Sequence, residues 1–193
     1  MKKLLTVMLC LLVVLSVSGC ESEPKCEHLN TTTTYELGGF SIKKTITCSD
    51  CEKQLSKVSF SKLRFVYDKV LLEDNGIKCT LLNIEIDYIG MITMNFEIEG
   101  TGSKKRTFSG EKMYINGYDA SIWLYCSDLS ENRKSLEDTW ISSGLEAEDF
   151  LKSQDYQVEF NYSVVNSSNY KTLSEKTINF NLNEYVSIEE VES

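Results

Sequence analysis

Four side chains able to hold a metal ion crowd into the first third of the chain. They form the pattern Cys26-x-His28, nineteen residues, Cys48-x-x-Cys51. A Cys-x-x-Cys pair on a tight turn aims two thiolates at one point, and a Cys/His pair brought alongside completes a tetrahedron of the kind Zn²⁺ favours. Four protein ligands leave no coordination position for water, so such a metal would be structural rather than catalytic. The competing chemistry is a disulfide from Cys26 to one of the other two cysteines, with His28 incidental. That pairing would strand one thiol and leave the chain's single histidine beside it without a role.

Either chemistry needs residues 30–47 to fold back on themselves. Gly38-Gly39 supplies a turn, flanked by strand-like segments at 31–35 and 42–48. A segment this short buries too little apolar surface to be stable alone, so the metal would supply its folding energy. The whole of residues 26–55 resembles a zinc ribbon. It departs from the usual pattern in placing one residue, rather than two to four, between Cys26 and His28.

The N-terminus bears on the compartment. Lys2 and Lys3 precede an apolar run at 4–17, a length that suits a signal-peptide core and is short for a membrane span. The run closes on Val17-Ser18-Gly19-Cys20. This tetrad resembles the bacterial lipobox, which implies that residues 1–19 are a signal peptide and that Cys20 becomes a lipid-bearing first residue. Residues 20–25 then form a short tether to the extracytoplasmic face of a membrane, anchored by acyl chains that each contribute about 0.8 kcal/mol per buried CH₂. The order of lipobox, small Cys-x-His…Cys-x-x-Cys module and larger domain resembles surface lipoproteins of Gram-positive bacteria.

Of seven cysteines, Cys10 leaves with the signal, Cys20 takes the lipid, and three belong to the metal pattern. Cys79 and Cys126 remain, either as a disulfide or as two buried thiols; the spacing does not choose between them.

From residue 57 the dominant signal is alternation with period two. Leu63, Phe65 and Tyr67, then Leu82, Ile84, Ile86 and Tyr88, then Ile92, Met94, Phe96 and Ile98 each read as the buried face of a strand. Tyr156, Val158, Phe160, Tyr162 and Val164 repeat the pattern, and Ile178, Phe180 and Leu182 close it with Asn179, Asn181 and Asn183 outward. Asp74-Asn75-Gly76 and Asn116-Gly117 are turns. Residues 145–152 read as a short helix, 130–138 as a loop, Trp140 as the start of a short strand, and 185–193 as a solvated acidic tail. About eight strands over 57–184 predict an antiparallel β-sandwich with one helix, so the chain is expected to be mainly β. The 57–184 pattern, notably 92–99 and Tyr114-Ile115-Asn116-Gly117-Tyr118, resembles the immunoglobulin-like domains of those same lipoproteins.

The remaining composition narrows the function. The net charge is −9, and removal of residues 1–19 takes two lysines with it, leaving 18 basic against 29 acidic side chains, or −11. Such a surface disfavours nucleic acid and a polybasic grip on anionic lipid. With His28 assigned to metal, no histidine remains for a Ser-His-Asp site, and there is no Gly-x-Ser-x-Gly elbow or phosphate-binding Gly-rich loop. Ser41-x-x-Lys44 and Ser59-x-x-Lys62 lack companion motifs. The expected role is therefore a non-catalytic binding module for a protein, a glycan or another envelope ligand, with Tyr114, Tyr118 and Tyr125 as candidates for an exposed aromatic face. The alternatives are a carboxylate hydrolase using residues such as Glu146 and Glu148, and a metal-sensing or metal-storing lipoprotein.

Overall fold

The computed structural model describes residues 26–120, 122–141, 145–152 and 155–191. The proposed signal peptide 1–19, the lipidation site Cys20 and the tether 20–25 lie outside these.

The described chain is mainly β. A three-stranded antiparallel sheet comes first, ordered β1 (Thr31–Gly38), β2 (Ser41–Cys48), β3 (Gln54–Phe60). The Gly38-Gly39 turn joins β1 to β2 as expected, with Gly39 at φ 67°. The third strand was not foreseen: β3 pairs with β2 from Ile42↔Phe60 to Thr47↔Gln54, so the module runs to Phe60 rather than to residue 55.

The sandwich follows. Its first sheet has the order β10-β6-β5-β4-β13, with β4 (Lys62–Asp74), β5 (Ile77–Asp87), β6 (Ile92–Gly100), β10 (Lys134–Ile141) and β13 (Ser187–Val191). The second has the order β12-β11-β7-β8, with β7 (Arg106–Ile115), β8 (Tyr118–Asp119), β11 (Gln157–Asn166) and β12 (Thr172–Asn181), while β9 (Leu124–Leu129) also pairs with β7. Placing β5, β6 and β10 opposite β7, β11 and β12 reproduces the A-B-E against C-F-G order of an immunoglobulin-like sandwich. Strands β4 and β13 extend the first sheet beyond that pattern.

Alternation is what makes these strands pack. Ile92, Met94, Phe96 and Ile98 of β6 are all buried, and so are Val158, Phe160, Tyr162 and Val164 of β11. Phe96 meets Phe160 across the interior with ring centroids 6.4 Å apart. The helix α1 (Ala147–Lys152) inserts Phe150 edge-on against Phe65 at 4.9 Å. The module is not a separate bead. Ile42 and Phe60 belong to the same core cluster, and Tyr35 packs edge-on against Phe60.

Three expectations need correction, and one open alternative is decided. Residues 130–138 are not a loop throughout: β10 begins at Lys134 and pairs with β6, and Trp140 lies near its end rather than its start. As an edge strand, β10 carries charged residues that mask its period. The segment 185–193 is not a free tail, because β13 pairs with β4, and Glu189 and Glu190 form ion pairs with Arg64 and Lys44. Leu82 is only half-buried, because the β5–β6 register slips between Leu81 and Asn83 and turns Leu81 inward in its place, and Tyr88 is exposed because β5 ends at Asp87 and Tyr88 lies on the turn that follows. Cys79 and Cys126 are free thiols, both buried in the sandwich core, one on each sheet.

Asp74, where β4 turns into β5, clasps the two sheets together. Its carboxylate accepts hydrogen bonds from Lys176 Nζ at 2.8 Å, from the Tyr162 hydroxyl at 3.2 Å and from the Ser174 hydroxyl. Burial works to raise this carboxyl, but the bonds from Lys176 and Ser174, the Lys176 charge and the Tyr162 bond outweigh it and hold the group below its ordinary 3.8. A depressed folded value contributes stability that is complete above the unfolded value and is lost as the pH falls through the folded one. Asp74→Asn is therefore expected to cost about 1–2 kcal/mol near neutrality, and denaturant melts should show the gap to the parent closing as the pH falls below 3.8. An equal gap at both pH values would show that the carboxylate charge is not what clasps the sheets.

Candidate metal centre

The ligands predicted from spacing meet at the base of the β1–β2 hairpin. Cys26 and His28 precede β1, Cys48 ends β2, and Cys51 lies on the turn into β3. Register brings them together: Thr31 is opposite Cys48, so the chain just before β1 runs beside the end of β2. All four ligand atoms lie within 4.8 Å of one another. The Cys26 and Cys48 sulfurs are 3.3 Å apart, and the Cys51 sulfur is 3.6 Å from His28 Nδ1. A tetrahedral Zn²⁺ site requires edges of about 3.8 Å between sulfurs and about 3.6 Å between sulfur and nitrogen, so the arrangement fits a metal with little adjustment. It does not match a disulfide, whose sulfurs sit about 2.05 Å apart.

The short Cys26-x-His28 spacer is accommodated by His28 itself. Its φ is 55°, in the left-handed region that histidine visits more readily than most residues, and this re-aims the imidazole toward Cys51. The Cys48-x-x-Cys51 turn is closed by its own backbone. Glu52, at φ 59°, donates its N–H to Cys48 O at 2.8 Å, and Cys48 donates to Lys53 O at 2.9 Å. Ser49 donates its N–H to Asn30 O at 3.0 Å, the Asn30 amide reaches Asp50 at 3.1 Å, and the Thr32 and Ser49 hydroxyls meet at 2.8 Å. These outer contacts lock the ligand-bearing turn onto β1. The motif did not reveal them, although Asn, Ser and Asp clustered around a Cys-x-x-Cys is the signal that side chains are bonding a turn.

The thiols are electrostatically unequal. Cys48 is drawn down to about 6, first by its hydrogen bond to His28, against the opposing effect of burial and with help from Cys26 and from the Asp50 and Cys51 backbone. A hydrogen bond at the His28 backbone pulls Cys26 down, yet its bonds with Cys48 and Cys51, burial and the Cys48 charge together push it up to about 11. Only one of two adjacent sulfurs ionises easily without a cation between them, which is the electrostatic signature of a place where a cation belongs.

The other sequence candidates are dispersed. Cys79 and Cys126 are pushed up to about 12, Cys79 by burial and the charge of Cys126, Cys126 by burial and then by Glu137. Glu146 and Glu148 are exposed at the start of α1. Tyr118 and Tyr125 are exposed on β8 and β9, whereas Tyr114 is half-buried on the outer face of the second sheet. Comparison with protein-family models, curated proteins and solved structures finds no match to this chain.

Metal-held thiolates resist alkylation and released ones do not. With metal bound, native protein treated with iodoacetamide should stay unmodified at all five described cysteines. After a chelator, Cys26, Cys48 and Cys51 should react while Cys79 and Cys126 react only in denaturant. Intact mass resolves the steps. A native protein already lacking two hydrogens, with one reactive thiol among the three, would replace the metal with a disulfide.

Proposed function

We propose that this chain is an extracytoplasmic lipoprotein, tethered to a membrane through acyl chains on Cys20, in which a structural zinc ion closes the base of the β1–β3 module and the sandwich serves as a non-catalytic binding module. The observation that carries the reading is the closed four-ligand cluster. One cysteine–cysteine pair and one cysteine–histidine pair lie within 4.8 Å of one another, which supports a four-ligand metal that holds structure and offers no open position to a substrate. Soft thiolate and imidazole donors in that geometry favour Zn²⁺ over hard cations such as Mg²⁺ and Ca²⁺.

The sequence supports the rest. The lipobox-like tetrad places Cys20 six residues before the first ligand, so the metal-closed module stands next to the membrane and the sandwich beyond it. Among the described residues no helix is long and apolar enough to cross a bilayer, and an acyl anchor needs none. The carboxylates that a hydrolase would recruit, Glu146 and Glu148, lie in open solvent.

Zinc analysis of the purified chain is expected to give one ion per molecule, lost in Cys48→Ser with a fall in melting temperature. Labelling cells with a radioactive fatty acid should mark the parent and not Cys20→Ser, and the variant should move from the membrane fraction to the soluble one. Unlabelled parent protein, or a variant retained on membranes as before, would remove the anchor from the reading. Absence of zinc in protein purified without chelator would remove the metal.

A further inference from the structure

The outer face of the second sheet carries a concavity of about 750 Å³. Its floor is Gln157, Glu159 and Asn161 of β11, with Tyr114 of β7 on one side, Asn179 of β12 on the other, and Asn116 of the β7–β8 turn at one end. Strand register builds this arrangement. Asn179, Glu159 and Tyr114 are direct partners across three neighbouring strands, so they form a single row with a step of about 4.8 Å. That step is on the scale of one pyranose ring.

The site is also fixed. Asn116 and Gly117 turn the chain at φ 48° and 83°, and Asn116 is clamped to β11 twice: its N–H donates to Gln157 O and its Oδ1 accepts from Gln157 N, both at 2.9 Å. Thr177 donates its hydroxyl to Asn161 Oδ1, which leaves the Asn161 NH₂ group to donate outward. Among the described residues, the side chains of Gln157, Glu159 and Asn179 and the Tyr114 hydroxyl have no hydrogen-bond partner.

The lining selects a ligand chemistry. Amides donate and accept, a carboxylate accepts paired hydroxyls, and a tyrosine ring gives an apolar face for C–H groups with a polar tip. No lysine or arginine lines the concavity, and the chain's charge of −9 repels anions. Its strand-borne floor is too polar for an apolar peptide. The chemistry that remains is a neutral, hydroxyl-rich ring with apolar edges.

We propose that this concavity binds a neutral oligosaccharide, one ring lying over the Asn179–Glu159–Tyr114 row. This rests on the sandwich being a non-catalytic binding module and gives that module its ligand class.

The test is calorimetric titration of the full chain, in detergent, with cello-, xylo-, malto- and N-acetylglucosamine oligosaccharides, and with hyaluronan as an anionic comparison. One or more neutral series should bind and hyaluronan should not. Tyr114→Ala and Asn179→Ala should each weaken binding by about tenfold or more. Tyr170→Ala, an exposed tyrosine on the β11–β12 turn, should leave it unchanged. Asn179 is exposed, so its variant should keep the parent melting temperature even if Tyr114→Ala does not. If no neutral saccharide binds, or if binding ignores both variants, the inference is overturned, and in the second case a binding module survives without this site. Reducing ends measured on the same samples separate the two readings: sugar bound here and also cleaved upholds the site and removes the non-catalytic reading.

Discussion

The first 35 residues of the described chain, ending at Phe60, make a sheet that cannot hold itself together by burial. Strand β1 is exposed along most of its length and β3 exposes five of its seven residues. Threonine dominates β1, and β3 leaves its apolar Leu55 and Val58 exposed, so little apolar area is removed from water. The sheet is fixed instead at its two ends. At one end, four ligand atoms converge around Cys48, which is fully buried. At the other, Ile42 and Phe60 enter the sandwich core, and Leu37 lies against the Gly90 turn. Eight residues of strand span about 25 Å, so these two anchorages are well separated and neither can replace the other. Loss of the ligand cluster would free the end of the sheet near Cys26 while the core end stays docked.

The sandwich treats its two outer faces differently. On the first sheet, Glu85 is held by Lys62 at 2.6 Å and Arg64 at 2.7 Å, and Arg64 also reaches Glu189 on β13. Burial works to raise Glu85, but these two cations hold it below its ordinary 4.5. Ionic groups there satisfy one another and offer little to a ligand. On the second sheet, the outward positions of β11 and β12 include the amides Gln157, Asn161, Asn179 and Asn181, and Gln157 and Asn179 stand without side-chain partners among the described residues. An edge-to-edge difference of this kind does not follow from folding, since threonine, lysine or glutamate would solvate a strand face equally well and with better strand propensity than asparagine.

The sequence made some of this legible. A strict alternation such as that of Ile92, Met94, Phe96 and Ile98 has one physical solution, a strand with a single buried face, and β6 is that strand. The convergence of Cys26, His28, Cys48 and Cys51 was equally readable, because a turn at Gly38-Gly39 between two strands must bring the two pairs together. Three things escaped. The bulge at Leu81–Asn83 depends on how β5 meets β6, which no local pattern encodes. Strands β10 and β13 lie at sheet edges, where one free backbone side and charged side chains erase the hydrophobic period. The left-handed φ of His28 is imposed by its position between Cys26 and Cys51, so a spacer that departs from the usual pattern still closes the site. The concavity was half visible: outward asparagines along β12 mark a wet face, but the facing Tyr114 and Glu159 come from other strands and meet them only through register.

The placement of the cysteines bears on how each would fare in the oxidising, extracytoplasmic compartment proposed above. Thiolate is the species that oxidises. Cys79 and Cys126 are pushed up to about 12 and lie in the core, so burial alone keeps them as thiols. The cluster lacks that protection at two points: Cys51 is exposed, and Cys48, although buried, is drawn down to about 6. For them the proposed cation would be both structural bond and shield, because each coordinated sulfur would have its lone pair committed and its neighbour held at the wrong distance for an S–S bond. A three-cysteine, one-histidine set suits that situation better than four cysteines would: oxidation can pair only two of the three sulfurs, and the imidazole, which does not oxidise, keeps the remaining thiolate company near Nδ1 at 3.6 Å.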